Sequence, residues 1–294
     1  MRAYRYTGGK ITKPGAYVHV HIDAYHSGNL CEGVSISSTG LRRVLESPAH
    51  YFAFSPLNPD RIEDATDTRA LRLGKAAHCA ALEPEKFDAQ FAISSYPDFK
   101  TAAAREERDK LENAGVIVLK QSEHDEIQAM AKAIRRDETA VSLFRDGLPE
   151  MTFAAKDEAT GIWLLSRPDF VPAHPERGLV DYKTAANAEP EAWSRHAYSL
   201  GYHVQAGLAC HVVEAVTGEK RDCFWFCVQE KSAPYVVQAA RLDQDQIEFG
   251  KRQVRLALDR LAKCIETGQW PAYGGAAYDI DPPYHVRKLM EMAA

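Results

Sequence analysis

Val180-Asp181-Tyr182-Lys183 places a carboxylate and an amine two residues apart inside an apolar run. On a β-strand that spacing puts both side chains on one face of the sheet. Upstream, Arg167-Pro168-Asp169-Phe170 closes another strand-like run. If the two runs pair through the Pro-rich stretch from Pro172 to Arg177, Asp169 comes to lie beside Asp181. Neighbouring carboxylates repel each other and a divalent cation removes the repulsion; hard oxygen ligands with room for water and a phosphate suit magnesium or manganese. Phosphodiester cleavage needs an activated water, a metal that neutralises the phosphate and a cation near the attacking water. Asp169, Asp181 and Lys183 supply the ligands and the cation.

Ordinary composition yields about one Asp-any-Lys triplet by chance in a chain of this size, and this one holds two. The second, Asp98-Phe99-Lys100, precedes a charged helical stretch and has no upstream strand delivering another carboxylate, so it reads as a decoy. Taken alone, Asp181 and Lys183 also fit a solvated strand face. Three further features bear on the choice. In Gly74-Lys75-Ala76-Ala77-His78 the glycine lies one turn before the histidine on the same helical face and leaves room for a group to approach. His78 can then reach a metal, or be a packed helix histidine. Glu150 stands where a strand begins and is either another site carboxylate or a loop acid after Pro149. Tyr202 and Gln205 share one helix face at i and i+3. Gln205 can orient Lys183, a water or a phosphate, or be a surface residue on a helix packed by Tyr202.

The elements that must position these groups follow from periodicity. Ser37-Ser38-Thr39 starts a short helix that Ser47-Pro48 stops, and a helix over Asp67 to Leu82, with Leu71, Ala77, Ala81 and Leu82 facing the core, carries His78. Thr101 to Asp146 reads as two helices broken near Gly115, the second from Gln121 to Phe144. Met151–Lys156, Gly161–Val171 and Gly178–Thr184 read as a three-stranded antiparallel meander. Helices follow at Trp193–Ser199 and Tyr202–Val216, then strands at Asp222–Gln229 and Tyr235–Leu242, then a long helix from Asp243 to Thr267. The order specifies an α/β fold with a mixed central sheet flanked by helices. No repeat or long linker divides the chain. The expectation is a single domain over 1–294, with 1–66 as a loop-rich N-terminal elaboration and 269–294 as an extended tail.

Composition narrows the class. The chain is 45% hydrophobic and 26% charged, ordinary for a folded protein with a sizeable core. A formal charge of -5 argues against a generally basic, phosphate-coating protein but leaves room for a positive groove. No segment approaches the roughly 18 apolar residues of a membrane span, so a cytoplasmic protein is expected. Six cysteines without a CxxC pair make a poor disulfide, zinc or iron–sulfur framework; Cys223 and Cys227 lie in an apolar run and read as buried thiols.

In order and spacing, Gly74-Lys75-Ala76-Ala77-His78, Arg167-Pro168-Asp169, Asp181-Tyr182-Lys183 and Tyr202-His203-Val204-Gln205 resemble the PD-(D/E)XK nuclease superfamily in its RecB-like branch. Within it they look most like the nuclease domain of RecE-type exonuclease VIII proteins of phages and prophages. Gly15-Ala16-Tyr17, Asp23-Ala24-Tyr25-His26 and Ser47-Pro48-Ala49-His50-Tyr51 resemble that family's lead-in to the histidine helix. The resemblance implies a restriction-endonuclease-like core with His78, Asp169 and Asp181 as metal ligands. Lys183 would be catalytic, with Gln205 and Tyr202 in support. It implies Mg2+, with Mn2+ able to substitute, and digestion of double-stranded DNA ends from 5′ to 3′, leaving 3′ single strands for recombination. It also implies a ring-shaped homo-oligomer, and a single-strand annealing protein is a further candidate partner. A RecB-like endonuclease or repair nuclease, or an inactive DNA-binding assembly protein, are the alternatives. An inactive protein would be expected to have lost at least one of His78, Asp169, Asp181 and Lys183.

Overall fold

The computed structural model describes residues 2–62, 68–275 and 277–293 and has the expected mixed α/β layers. The N-terminal region gives strands β1 (Ala3–Arg5) and β2 (Gly15–Val18), helix α1 (Ile22–His26), strand β3 (Ser35–Ile36), and helices α2 (Ser38–Glu46) and α3 (Pro48–Phe54). Helix α4 (Arg69–Leu82) follows, then α5 (Phe87–Gln90), β4 (Phe91–Ile93), α6 (Ala102–Asn113), β5 (Ile117–Leu119), α7 (Gln121–Arg136) and α8 (Glu138–Leu143). Strands β6 (Gly147–Pro149), β7 (Thr152–Lys156), β8 (Trp163–Ser166), β9 (Phe170–Pro172) and β10 (Leu179–Ala185) lead into helices α9 (Pro190–Ser199) and α10 (Tyr202–Thr217). Strands β11 (Phe224–Glu230) and β12 (Val237–Leu242), then helices α11 (Gln244–Thr267) and α12 (Tyr284–Met292), complete the order.

The strands build two principal sheets, in the orders β1-β2-β7-β8-β3 and β12-β11-β10-β9-β6. This corrects the expected meander. The run Gly161–Val171 is two strands: β8 pairs with β7 in the first sheet, while β9 pairs with β6 and β10 in the second. The break falls at Arg167-Pro168-Asp169, where Pro168 has no N–H to offer a ladder. The preceding chain switches sheets too, from β6 to β7 through Glu150-Met151. The two crossings lie against each other, because Glu150 N–H donates to the Asp169 carbonyl at 3.0 Å. Glu150 takes φ 54° there, a left-handed conformation costing a non-glycine residue about 1–2 kcal/mol.

Alternation along β10 decides what each face meets. Leu179 and Ala185 join the large core around α10, whereas Val180 and Tyr182 pack with Ala77 of α4, Met130 and Ile134 of α7 and Leu143 of α8. The second sheet is thus covered by α10 on one face and by α4, α7 and α8 on the other. Asp181 and Lys183 share the α10 side with Leu179, as their spacing requires. The connection from β9 to β10 is clamped by buried Arg221, whose Nη1 donates to the carbonyls of Pro172 (2.8 Å) and Gly178 (3.1 Å).

Helix α10 is itself held by a close crossing with α11. A Cβ on Gly250 would lie 2.0 Å from the His203 carbonyl oxygen, and one on Gly207 would lie 2.4 Å from the Gly250 carbonyl carbon. Backbone meets backbone, so nothing flexible can yield. Gly250→Ala is expected to destabilise the protein by about 3 kcal/mol through overpacking, read as a lower urea midpoint; an unchanged midpoint would contradict this crossing.

Other expectations need adjustment. The start of the His78 helix at Asp67 lies outside the described residues; the helix seen begins at Arg69, after Thr68, whose side chain accepts from Leu71 N–H. Leu71 is exposed in that first turn, and Leu73 packs instead. The long helix expected over Gln121–Phe144 breaks at Asp137, which caps α8 by accepting from Ala140 N–H at 2.8 Å. The N-terminal elaboration is not merely loop: β1 and β3 form the two edges of the first sheet. The tail begins as an extended segment on α3, with Ala49 N–H donating to the Pro271 carbonyl at 3.1 Å and Trp270 stacked on Phe52 at 4.4 Å. It then departs from expectation by forming α12, which buries none of its residues. The six cysteines are free thiols; Cys227 is buried, and Cys223, just before β11, is half-buried. Among the described residues no helix is long and apolar enough to cross a membrane.

Candidate active site

Small side chains let α4 lie close over the second sheet: Ala77 packs on the β10 face and Ala76 and Ala80 on the neighbouring core with Leu119, Ile127 and Ala131. His78 is thereby carried to the place where the strands change sheets. Its Nε2 lies 3.0 Å from Asp169 Oδ2 and 3.4 Å from Glu150 Oε1. One potential ligand atom from each of these three residues lies within 4.8 Å of the other two. Two carboxylates and an imidazole converging in this way suit a divalent cation.

Each member of this group is oriented by a partner. Asp169 Oδ2 accepts from Tyr182 N–H at 2.6 Å, tying the carboxylate to β10. Glu150 Oε2 accepts from Arg167 Nε, and Arg167 Nη1 donates to the Val20 carbonyl at 2.7 Å. Arg167 thereby braces the other sheet crossing, a role that the spacing of Arg167-Pro168-Asp169 does not signal.

Asp181 stands beside this triad rather than inside it. It is 1% exposed, its Oδ1 accepts from Gln205 Nε2 at 2.6 Å, and Lys183 Nζ is in ion-pair contact with its Oδ2. Asp181 is thus buried with the Lys183 ammonium as partner of Oδ2 and the Gln205 amide as partner of Oδ1. Gln205, for which several partners were open, is directed at Asp181. Tyr202 lies on the same helix with its ring centroid 5.1 Å from Lys183 Nζ.

The electrostatics are those of crowded carboxylates. Burial, then the charge of Asp169, raises Asp181 to about 6, against the pull of Lys183. Burial and Asp169 also raise Glu150. Burial opposes ionisation of Asp169 too, but His78 and Lys183 outweigh it and hold Asp169 below its ordinary value. For His78, burial is overcome by Asp169 and Glu150, which raise it to about 9. Lys183 is raised despite burial, chiefly by Asp181 and Asp169, and is therefore an ammonium at neutral pH. A compensating positive charge is what this cluster of acids lacks when His78 gives up its proton.

Gly74 proves less constrained than its position suggested. A Cβ there would meet only Thr184 Oγ1, at 3.9 Å, an ordinary contact. Gly74→Ala is expected to stabilise the protein by about 0.5–1 kcal/mol through helix propensity, seen as a higher Tm. A lower Tm would contradict the open contact with Thr184.

The second Asp-any-Lys triplet, Asp98-Phe99-Lys100, lies between β4 and α6. Its lysine pairs with its own aspartate at 3.3 Å, so it forms a local turn rather than part of this site.

A provisionally named exonuclease from Eubacterium rectale has a similar fold, with a TM-score of 0.57 at 12% identity over 87% of this chain and 92% of that one. An alkaline exonuclease from Laribacter hongkongensis aligns at 15% identity over 71% of this chain and 99% of that one, with a TM-score of only 0.28. No curated protein matches the sequence. Residues 37–281 match the family described as PDDEXK-like domain of unknown function (DUF3799), a stretch that contains His78, Glu150, Asp169, Asp181, Lys183 and Gln205. The chain therefore belongs to this PDDEXK-like family and, with the fold it shares, to the PD-(D/E)XK nucleases.

Proposed function

We propose that the protein is a Mg2+-dependent exonuclease that enters double-stranded DNA at its ends and degrades one strand from 5′ to 3′, leaving a 3′ single strand for recombination. One observation carries the reading: the Asp181–Lys183–Gln205 face of β10 and α10 meets the His78–Glu150–Asp169 group where the two sheets join. His78, Glu150 and Asp169 would hold the metal, with Asp181 beside them. When bound, Mg2+ neutralises phosphate charge and makes a water more acidic.

The chain's own residues divide the remaining work. Lys183, kept charged by Asp181 and Asp169, is a cation rather than a proton acceptor and stabilises negative charge developing at the phosphate or on the attacking water. Gln205 fixes the Asp181 carboxylate, and Arg167 and the Tyr182 N–H fix Glu150 and Asp169, so the acids need not reorganise as the substrate arrives. The exonuclease name of the Eubacterium rectale relative agrees with this reading. The resemblance to RecE-type nucleases adds a ring-shaped oligomer; the absence of a dividing linker makes residues 1–294 one catalytic unit, an annealing protein is a candidate partner, and Mn2+ would replace Mg2+.

Linear duplex labelled at either end tests the function. With Mg2+, the 5′-terminal nucleotides should be released first, and a chelator should stop release. Cutting of covalently closed circles would instead favour a RecB-like endonuclease, and release from the 3′ end would reverse the polarity.

A further inference from the structure

We propose that Arg42 is a positioning residue for Lys183, acting through the ring of Tyr202. The inference rests on the catalytic reading of Lys183 but not on the polarity or substrate form proposed above.

Arg42 belongs to α2, far in sequence from the site, and its guanidinium is fixed on three sides. Nη1 donates to the Leu200 carbonyl at 2.6 Å, Nη2 to Thr39 Oγ1 at 3.2 Å and Nε to the Ser38 carbonyl at 3.3 Å. Leu200 closes α9, and Gly201 and Tyr202 follow it directly into α10. The corner is moulded to the arginine stem: Gly201 has φ 69°, and a Cβ there would fall 2.8 Å from Arg42 Cδ.

With the guanidinium so held, its Cζ lies 5.9 Å from the Tyr202 ring centroid, the same ring from which Lys183 Nζ is 5.1 Å distant. Phe226 stacks on the ring at 5.5 Å and Trp193 lies at 5.8 Å, so Tyr202 has little freedom to turn. A single aromatic ring therefore carries two cations. Burial lowers the tendency of Arg42 to stay charged, and Tyr202 and Asp181 oppose this only in part. Arg42 is thus part of the electrostatic surroundings of Asp181 without touching it. The ring attracts both cations, so the aromatic face that Lys183 meets is set by where Arg42 and the neighbouring rings hold Tyr202. The arginine's bonds to Leu200, Thr39 and Ser38 end on the chain itself, which is the geometry of a brace rather than of a phosphate clamp. Lysine cannot reproduce it, because a point charge lacks the planar fork that spans Leu200, Thr39 and Ser38.

Arg42→Met and Arg42→Lys test the idea, with two readouts. On end-labelled duplex with Mg2+, both variants should lower kcat by about 10–100-fold while KM and Mn2+ affinity stay within about twofold. Combination with Tyr202→Leu should add little further loss, because both changes break the same support. Without metal or DNA, the rate of Lys183 acetylation by an amine-reactive ester, followed by peptide mass spectrometry, should change severalfold in both variants, with other lysines as internal reference. This second readout does not depend on turnover, so an inactive wild-type protein would sink the nuclease reading and leave the positioning test intact. Unchanged Lys183 labelling in the folded Arg42→Lys protein would overturn the proposal. A rise in KM at constant kcat would do the same by making Arg42 a substrate contact, and so would losses fully additive with Tyr202→Leu, by showing that the two residues act independently.

Discussion

Lys183→Ala is expected to lower kcat on linear duplex by about a thousandfold, the scale on which removal of a charge-stabilising group acts in an enclosed site. Metal binding should survive, because Lys183 belongs to the other half of the site from His78, Glu150 and Asp169. The fold should survive as well: the side chain is 22% exposed and its ion-pair partner keeps the Gln205 hydrogen bond. Loss of the ammonium does leave Asp181 buried beside Asp169 with one cation fewer, so Asp181 should become still harder to ionise. Lys183→Arg restores the charge but presents a planar fork instead of a compact ammonium, and is expected to rescue poorly. The checks are single-turnover release of end label and Mn2+ titration by calorimetry. Activity within tenfold of wild type would move the catalytic cation elsewhere.

Asp169→Asn should be the more destructive change. Asp169 joins the two halves: its Oδ2 takes the Tyr182 N–H at 2.6 Å and faces His78 Nε2 at 3.0 Å, and its charge acts on Glu150 and Asp181 alike. The amide keeps the volume and loses the charge. Mn2+ affinity is expected to fall by at least about a hundredfold, more than for loss of an outer-shell partner, and turnover with it. The contrast with Lys183→Ala is diagnostic, since one variant should bind the ion without cutting and the other should do neither. Mn2+ affinity within twofold of wild type in Asp169→Asn would place the ion outside this group.

Which parts of this were readable from the chain depends on how local the information is. Asp181 and Lys183 share a face because β-strand alternation is a local property, and Gln205 reaches them because helical spacing fixes its direction once Tyr202 packs. His78 was readable as a helix residue with space around it. Glu150 was ambiguous, because its place is set by the crossing from β6 to β7, and alternation says which way a side chain points without saying to which sheet it belongs. Pro168 was the available sign that Gly161–Val171 could not be one strand. The helix break at Asp137 had a comparable sign in its capping side chain. Strands β4 and β5, three residues each, are too short to show a period, and α12 has the spacing of a helix but no core to press against. Arg42 could not be found by any local rule, since it meets the Leu200 carbonyl across 158 residues.

The two sheet crossings carry a thermodynamic meaning apart from catalysis. Glu150 and Asp169 are the corners at which one sheet becomes the other, and His78 arrives there from a helix that packs on the second. An ion bound by these three fastens both sheets and α4 at one point, so binding and global unfolding are linked equilibria. At a hundredfold excess over Kd such linkage contributes about 2.7 kcal/mol. It should be felt as slower amide exchange in β7 and β8 as well as in β9 and β10. The metal would then report the integrity of the whole fold, and a molecule whose sheets had come apart at this corner would be unable to cut.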